Sequence, residues 1–308
     1  LPSNQTSLGA LPARFRRLRL LIVGCGDVGL RVARALPPRV RVLALTSSPE
    51  RVPHLRAAGI VPLQGDLDAP ASLARLAGLA HRVVHLAPPP GDAKDDRWRD
   101  LRTQGLLRAL RRRSAPGALV YGSTSGVYGD CGGDLVREVR AVAPRTPRAR
   151  RRVDAERQLR AFGRAAGVRI SVLRIPGIYA PDREGGTPRE RLLRGTPVLA
   201  APDDVYTNHI HADDLARAVR AALWCGRPQR VYHASDDTVL KMGDYFDLAA
   251  DLYGLPRPPR IPREAAREQL PVSVLSFMGE SRRLDNTRLK KELRLKLRHP
   301  TVATGLRA

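Results

Sequence analysis

The sequence has few cysteines, almost no lysine and no long hydrophobic run, and each shortage removes a class of protein. Its three cysteines, Cys25, Cys131 and Cys225, are odd in number and far apart, and none belongs to a C-x-x-C pair. That argues against a disulfide framework and a cysteine zinc site, and leaves structural or incidental thiols. No stretch approaches the roughly 20 uninterrupted apolar residues that a membrane span requires. Leu1–Arg19 holds no apolar run long enough for the core of a signal peptide. It also opens on Leu instead of Met, as trimming or a cut start would give. A cytoplasmic protein with no membrane partner is the expectation. Internal repeats, low-complexity linkers and the patterns of helix-turn-helix, RRM or zinc-finger modules are missing too. Of the 54 basic residues only five are lysine, against 49 arginines, and the net charge is +24. Such a charge invites nucleic acid as a partner. The arginines, however, are spread over almost every expected helix, as a coding bias toward arginine would spread them. Solvated helix faces with a general attraction for anionic ligands are the plainer reading, and nucleic acid is not the expected partner.

What is present is a globular composition, 43% hydrophobic over 308 residues, enough for a large core. The first 170 residues alternate short apolar runs with helical patterns, the signature of a parallel sheet wrapped by helices. Strands are expected at Leu18–Val23, Val40–Leu45, Ile60–Leu63, Arg82–Ala87, Ala118–Tyr121 and Arg169–Leu173. Helices are expected at Val28–Leu36, Pro49–Ala58, Ala71–Ala77, Asp95–Arg113 and Arg148–Ala166. After Leu173 the alternation breaks into Pro- and Gly-rich loops, with helices near Pro188–Arg194, Ala212–Trp224 and Met242–Tyr253 and a strand at Arg230–His233. The fold class expected is a Rossmann-type, doubly wound parallel α/β sheet. It spans 18–173, after an extension over 1–17, and 174–308 forms mostly a smaller substrate-binding cap interleaved with the last strands.

The first strand runs into Gly24-Cys25-Gly26-Asp27-Val28-Gly29 and then a helix, which is G-x-G-x-x-G in its proper context. Gly24 permits the tight turn, Gly26 lets backbone approach a pyrophosphate, and Gly29 lets helix and strand pack closely. The phosphates then meet free N–H groups at the helix N-terminus. An NAD site usually ends its second strand on a carboxylate that holds the ribose hydroxyls. Here Thr46, Ser47 and Ser48 stand there with Arg51 beyond, a set suited to a 2′-phosphate. NADP is therefore preferred to NAD.

Later segments are Gly65-Asp66-Leu67, His85-Leu86-Ala87-Pro88 and Tyr121-Gly-Ser123-Thr124-Ser125-Gly-Val127-Tyr128-Gly129, followed by Arg174-Ile-Pro176-Gly177-Ile178-Tyr179 and Asn208-His209-Ile-His211-Ala-Asp213-Asp214. Together, over about Leu18 to Pro300, they resemble the extended branch of the short-chain dehydrogenase/reductase family, the NAD-dependent epimerase/dehydratases. The resemblance implies cofactor contacts from Asp66, Leu67, Ala87, Pro88 and Pro176 besides those of the glycine turn, and substrate contacts from Ser123, Tyr179, Asn208 and His209. It also implies a hydroxyl at Thr124 and a Tyr-x-x-x-Lys pair at the start of the next helix. In this sequence Arg148 falls at the tyrosine position and Arg152 at the lysine position. An arginine stays protonated and cannot cycle a proton. Arg152 still supplies positive charge and ribose contacts, whereas Arg148 cannot serve as base.

Replacement acid/base groups, by residue type and place, are Tyr128, Tyr179, His209 and His211, each of which has an equally simple packing or capping role. Three readings stay open: an oxidoreductase or epimerase/dehydratase using another proton carrier on a small, anionic or nucleotide-sugar substrate; a dinucleotide-binding sensor; and a nucleic-acid binder. Ser281-Arg282-Arg283-Leu-Asp285-Asn286 reads either as an anion clamp or as the cap of a helix over Thr287–Leu293. Asp213-Asp214 suits a helix start better than a metal, and no metal site is expected. In many members of the resembled family the helices at Arg102–Arg113 and Arg148–Arg164 pair across subunits, which implies a homodimer.

Overall fold

The structure, a computed structural model, describes residues 17–90, 98–271, 274–275 and 278–307. Residues 1–16 of the expected 1–17 extension, and residues 95–97 at the expected start of the Asp95–Arg113 helix, lie outside the described residues.

Seven strands form one all-parallel sheet, numbered here in chain order: β1 Leu18–Val23, β2 Val40–Thr46, β3 Val61–Gln64, β4 Arg82–His85, β5 Ala118–Thr124, β6 Arg169–Ile175 and β7 Arg230–His233. Their spatial order is β7-β6-β5-β4-β1-β2-β3. The order reverses between β1 and β4, and ligands of such sheets bind at the carboxyl ends beside that point. The doubly wound fold expected from the sequence is the fold observed. β1 reads Leu-Arg-Leu-Leu-Ile-Val, with its last four residues buried, because a central parallel strand is covered on both faces. Leu20 and Ile22 pack on one face with Val32 and Leu215, and Leu21 and Val23 on the other with Leu106 and Leu159.

The flanking helices are α1 Asp27–Arg34, α2 Val52–Ala57, α3 Leu101–Arg111 and α4 Pro147–Ala166. Ala71–Ala77, expected as a helix, falls in a 3₁₀ segment over Pro70–Leu76. The phase of α4 matters most for function. Thr146 caps it by accepting from the N–H of Ala149 at 3.2 Å, Pro147 fills its first position, and Gly167 ends it at a φ of +64°.

The second half contributes to the sheet as well as covering it. β7 pairs with β6, Val231 opposite Val172, and the helix Ala212–Cys225 packs on the same face as α1. A separate apolar cluster around Tyr179, Leu199, Tyr245, Phe246 and Met278 forms the core of the cap. No helix among the described residues is long and apolar enough to cross a membrane.

Candidate functional site

At the carboxyl ends of β1, β2 and β4 lies a cavity of about 390 Å³. Its lining includes Gly24, Gly26, Thr46, Ser47, Arg51, Asp66, Leu67, Ala87 and Pro88, all expected at the cofactor, and also Cys25, Ser48, Leu55, Leu86 and Arg102. The glycines divide the work. Gly24 has a φ of +86°, and a Cβ there would stand 2.3 Å from the N of Ala87, so the turn is closed against the end of β4. A Cβ on Gly29 would meet Cys25 Sγ and Ile22 at 3.3 Å, the close helix–strand contact. A Cβ on Gly26 would meet nothing within 4 Å. Gly26 is also the N-cap residue of α1, and no side chain caps that end. An open surface at the unpaired amides of a helix start is what a diphosphate requires.

Side chains around this opening are fixed by their own partners. Thr46 Oγ1 accepts from the N–H of Ser48 at 3.2 Å, holding the turn after β2. Arg51 donates to the Cys25 carbonyl at 2.7 Å, which brings a guanidinium onto the glycine loop. Burial pushes the Cys25 thiol up to about 11, so it stays protonated at neutral pH. Asp27, though first in α1, turns its carboxylate to Arg31 at 2.9 Å and Arg183 at 2.8 Å. Arg31 also holds Asp182 and Asp213, each at 2.6 Å, and so ties α1 to the cap. Val28 is a core residue, and neither it nor Asp27, Gly29, Arg152 or Pro176 lines the cavity.

The end of β5 is built differently. Ser123 is buried and donates to Glu156 at 2.6 Å. Glu156 receives Arg174 on both oxygens, at 3.2 and 2.7 Å. Arg174 donates to the Tyr128 hydroxyl at 2.6 Å, and that hydroxyl meets His233 Nε2, also at 2.6 Å. His233 Nδ1 lies 3.0 Å from the Asp285 carbonyl and must donate to it, so Nε2 accepts the phenol proton. The Tyr128 phenol is thus committed inside the protein, pushed up to about 12 by burial, against its expected place as a proton carrier in the cleft. A buried charge pair needs such full partnering, since each unmet oxygen or N–H there is costly.

The profile of the NAD dependent epimerase/dehydratase family matches residues 20–234. The chain belongs to that family. Among solved structures, a functionally unknown conserved protein from Silicibacter pomeroyi is 29% identical, with a TM-score of 0.78, over 94% of this chain and 97% of that one. A UDP-glucuronic acid 4-epimerase from Bacillus cereus in complex with NAD is 18% identical, with a TM-score of 0.74, over 94% and 97%. A UDP-glucose 4-epimerase from Thermotoga maritima with UDP-glucose is 20% identical, with a TM-score of 0.76, over 94% and 96%. No curated protein matches the chain.

Within this epimerase/dehydratase frame, Arg148 and Arg152, which stand where the resemblance would put a Tyr-x-x-x-Lys pair, point differently. Arg148 is exposed on the first turn of α4. Arg152 is buried against β5, donating to the Gly122 carbonyl at 2.6 Å and to the Tyr121 hydroxyl at 3.1 Å. Thr124 Oγ1 accepts from the N–H of Gly126 at 3.2 Å, and its O–H has no acceptor among the described residues.

The expected substrate residues are mostly part of the framework. Asn208 donates to the Arg282 carbonyl at 2.9 Å and accepts from the N–H of Leu284 at 2.8 Å, so its amide clamps the tail. His209 is buried and stacked on Tyr245 at 4.2 Å, and burial lowers it to about 4. The Tyr179 hydroxyl donates to the Thr301 carbonyl at 3.2 Å. His211 Nδ1 accepts from the N–H of Asp213, capping the helix Ala212–Cys225. His211, Asp213 and His299 each bring a ligand atom within 4.8 Å of the others, but Arg31 occupies the Asp213 carboxylate. Asp214 accepts from the N–H groups of Arg298 and His299, a structural task.

In the tail, Arg282 and Arg283 diverge and form no joint clamp. Arg282 donates to the Gly129 carbonyl at 2.8 Å and to Glu280 at 2.7 Å, while Arg283 reaches Gly133. Asp285 caps the helix start by accepting from Thr287 at 2.8 Å. Glu280, whose carboxylate comes near Gly126, was not among the expected residues and lies over 150 residues from Thr124.

Proposed function

We propose that the protein is a nicotinamide-dinucleotide-dependent oxidoreductase of the epimerase/dehydratase kind, acting on a hydroxyl of an anionic substrate such as a nucleotide sugar. One observation carries this reading. The glycine turn is sealed against β4 at Gly24 and open at Gly26, directly above the N-terminus of α1. Gly26 and the first amides of α1 hold the diphosphate. Leu55, Asp66 and Leu67 flank the adenine, and Ala87, Pro88 and Pro176 flank the nicotinamide half. When bound, the dinucleotide supplies a hydride acceptor or donor. Arg152 lends a fixed positive charge behind the site, Thr124 offers its hydroxyl to the substrate oxygen, and Ser123, Tyr179, Asn208 and His209 hold the walls in place. The sugar-nucleotide class is favoured by the similarity to proteins solved with NAD and with UDP-glucose and by the strongly positive chain.

NADP is preferred to NAD, because Thr46, Ser47, Ser48 and Arg51 line the cavity where a ribose carboxylate partner is missing. Calorimetric titration with each dinucleotide tests this directly: micromolar binding is expected, tighter for NADP. No binding of either at millimolar concentration sinks the reading. A second reading rests on Arg148 alone. A chain that has lost the usual proton carrier is suited to sensing the dinucleotide without turnover. Unchanged nicotinamide absorbance on adding UDP-glucose or UDP-glucuronic acid to the dinucleotide complex favours the sensor.

A further inference from the structure

Chemistry at a hydroxyl needs a proton carrier, and most of the side chains expected to provide one are unsuited or engaged elsewhere. Arg148 cannot give up its proton. The Tyr128 phenol is committed to Arg174 and His233, that of Tyr179 to the Thr301 carbonyl, and His211 Nδ1 to the N–H of Asp213. One carboxylate does reach the end of β5. A Cβ placed on Gly126 would find as its nearest neighbours the Thr124 side chain, with Oγ1 at 3.6 Å, and Glu280 Oε2 at 3.9 Å. The space over Gly126 is therefore bordered by one hydroxyl and one carboxylate oxygen.

Glu280 is held there firmly. Arg282 donates to Glu280 Oε2 at 2.7 Å and to the Gly129 carbonyl at 2.8 Å, and the Glu280 side chain keeps only 14% of its surface exposed. The next residue, Ser281, is pinned on both sides. Its carbonyl accepts from Cys131 and Gly133, and its N–H donates to Asp130 at 2.9 Å. Arg283–Leu284 then pairs as a strand with Leu135–Val136. A carboxylate on such a frame meets the requirement that a general base be pre-positioned.

We propose that Glu280 is the proton carrier of this protein, standing with Thr124 in place of the missing tyrosine. The proposal rests on the dinucleotide-dependent reading above. A substrate hydroxyl over Gly126 gives its proton to the Glu280 carboxylate while Thr124 donates to the same oxygen. The carbon–hydrogen bond breaks with its electron pair passing to the oxidised nicotinamide, and the C–O bond becomes a carbonyl. Reduction runs the same transfers in reverse, with protonated Glu280 as the acid.

The test uses the full chain with whichever dinucleotide it binds more tightly, and UDP-glucose and UDP-glucuronic acid as probes. Glu280→Gln is expected to lower kcat by about 10²-fold or more. Dinucleotide and sugar-nucleotide Kd values by calorimetry should stay within about twofold of the parent, the pattern of a lost transfer and not a lost site. Glu280→Asp should recover part of the rate. Independently of turnover, the Glu280 side-chain carboxyl carbon resonance, assigned by its loss in Glu280→Gln, should move when either probe joins the reduced-dinucleotide complex. A Glu280→Gln protein within threefold of the parent rate overturns the inference. So does a parent that binds dinucleotide but shows neither turnover nor movement of that resonance, and the dinucleotide site then stands. Failure to bind any dinucleotide strikes the earlier reading itself.

Discussion

The two ends of the cleft are built on opposite principles. At the carboxyl ends of β1 and β2 the site is made by taking side chains away, so that backbone amides stand open beside a cavity. At the carboxyl ends of β5, β6 and β7 it is made by filling space with paired charge, from Ser123 through Glu156 and Arg174 to Tyr128 and His233. The first arrangement needs only local backbone geometry. The second needs residues from four distant parts of the chain, each matched to the next. Substitution should therefore hurt them in different ways: glycine changes act through backbone clash or blocked ligand, network changes through charge left unpaired.

The largest effect tests the sealed face of the glycine turn. Gly24→Ala forces a side chain into a left-handed conformation and against the backbone of Ala87 and Leu86, with no flexible atom able to yield. We expect a loss above about 4 kcal/mol, or no folded protein, by chemical denaturation. A near-normal midpoint would mean that this turn is not held against β4. Next comes the network. Glu156→Gln leaves Arg174 buried with a neutral partner and should cost about 3–5 kcal/mol. Dinucleotide affinity should be nearly unchanged, since no member of that network lines the cavity beside the glycine turn. If affinity collapses as stability falls, the two ends are coupled and the contrast is wrong.

This contrast also explains how far the sequence could be read. The order of strands and helices, the glycine turn and nine of the expected cofactor residues depend on local pattern, and the cavity gathers those nine together. Arg148 and Arg152 could be placed by spacing from the Pro147 helix start. Where their guanidiniums point could not, because that depends on the phase α4 takes against β5. Tyr128 and Tyr179 read as cleft residues because their segments border the cleft. Which way each ring turns is decided by Arg174, His233 and Thr301, which lie 46 to 122 residues away. Glu280 had no local mark at all. Similarly, Ala71–Ala77 shows helical periodicity, but the structure has a 3₁₀ segment over Pro70–Leu76.

A smaller effect separates the sealed end by pH. Burial pushes Asp236, just beyond β7, up to about 7. The folded state then binds a proton that the unfolded state has already lost above about pH 4. Stability is thus full below the unfolded pKa and is lost as pH rises toward the folded one, by at most about 4 kcal/mol. Asp236→Asn should flatten the decline in Tm between pH 5 and 8. An equally steep decline in that variant would place the titrating group elsewhere. The open end offers no counterpart, since its buried thiol, Cys25, is held protonated throughout this range.

The smallest change in stability should come from Gly26→Ala, two residues from the most damaging substitution. Its methyl group meets no protein atom within 4 Å, and its φ of −81° suits any residue, so Tm should stay within a degree or two. The same methyl stands in the space that a diphosphate must enter to reach the amides of α1. Dinucleotide binding by calorimetry should weaken at least about tenfold, roughly 1.4 kcal/mol. Binding that is unaffected would show that the phosphates do not approach this face, whatever the pattern of glycines. A protein that instead unfolds would show that the open space is filled by the chain itself. Because Gly24→Ala and Gly26→Ala add the same methyl group within one turn, a difference between them in stability reports what each position faces: a left-handed backbone closed against β4 at Gly24, and open space at Gly26.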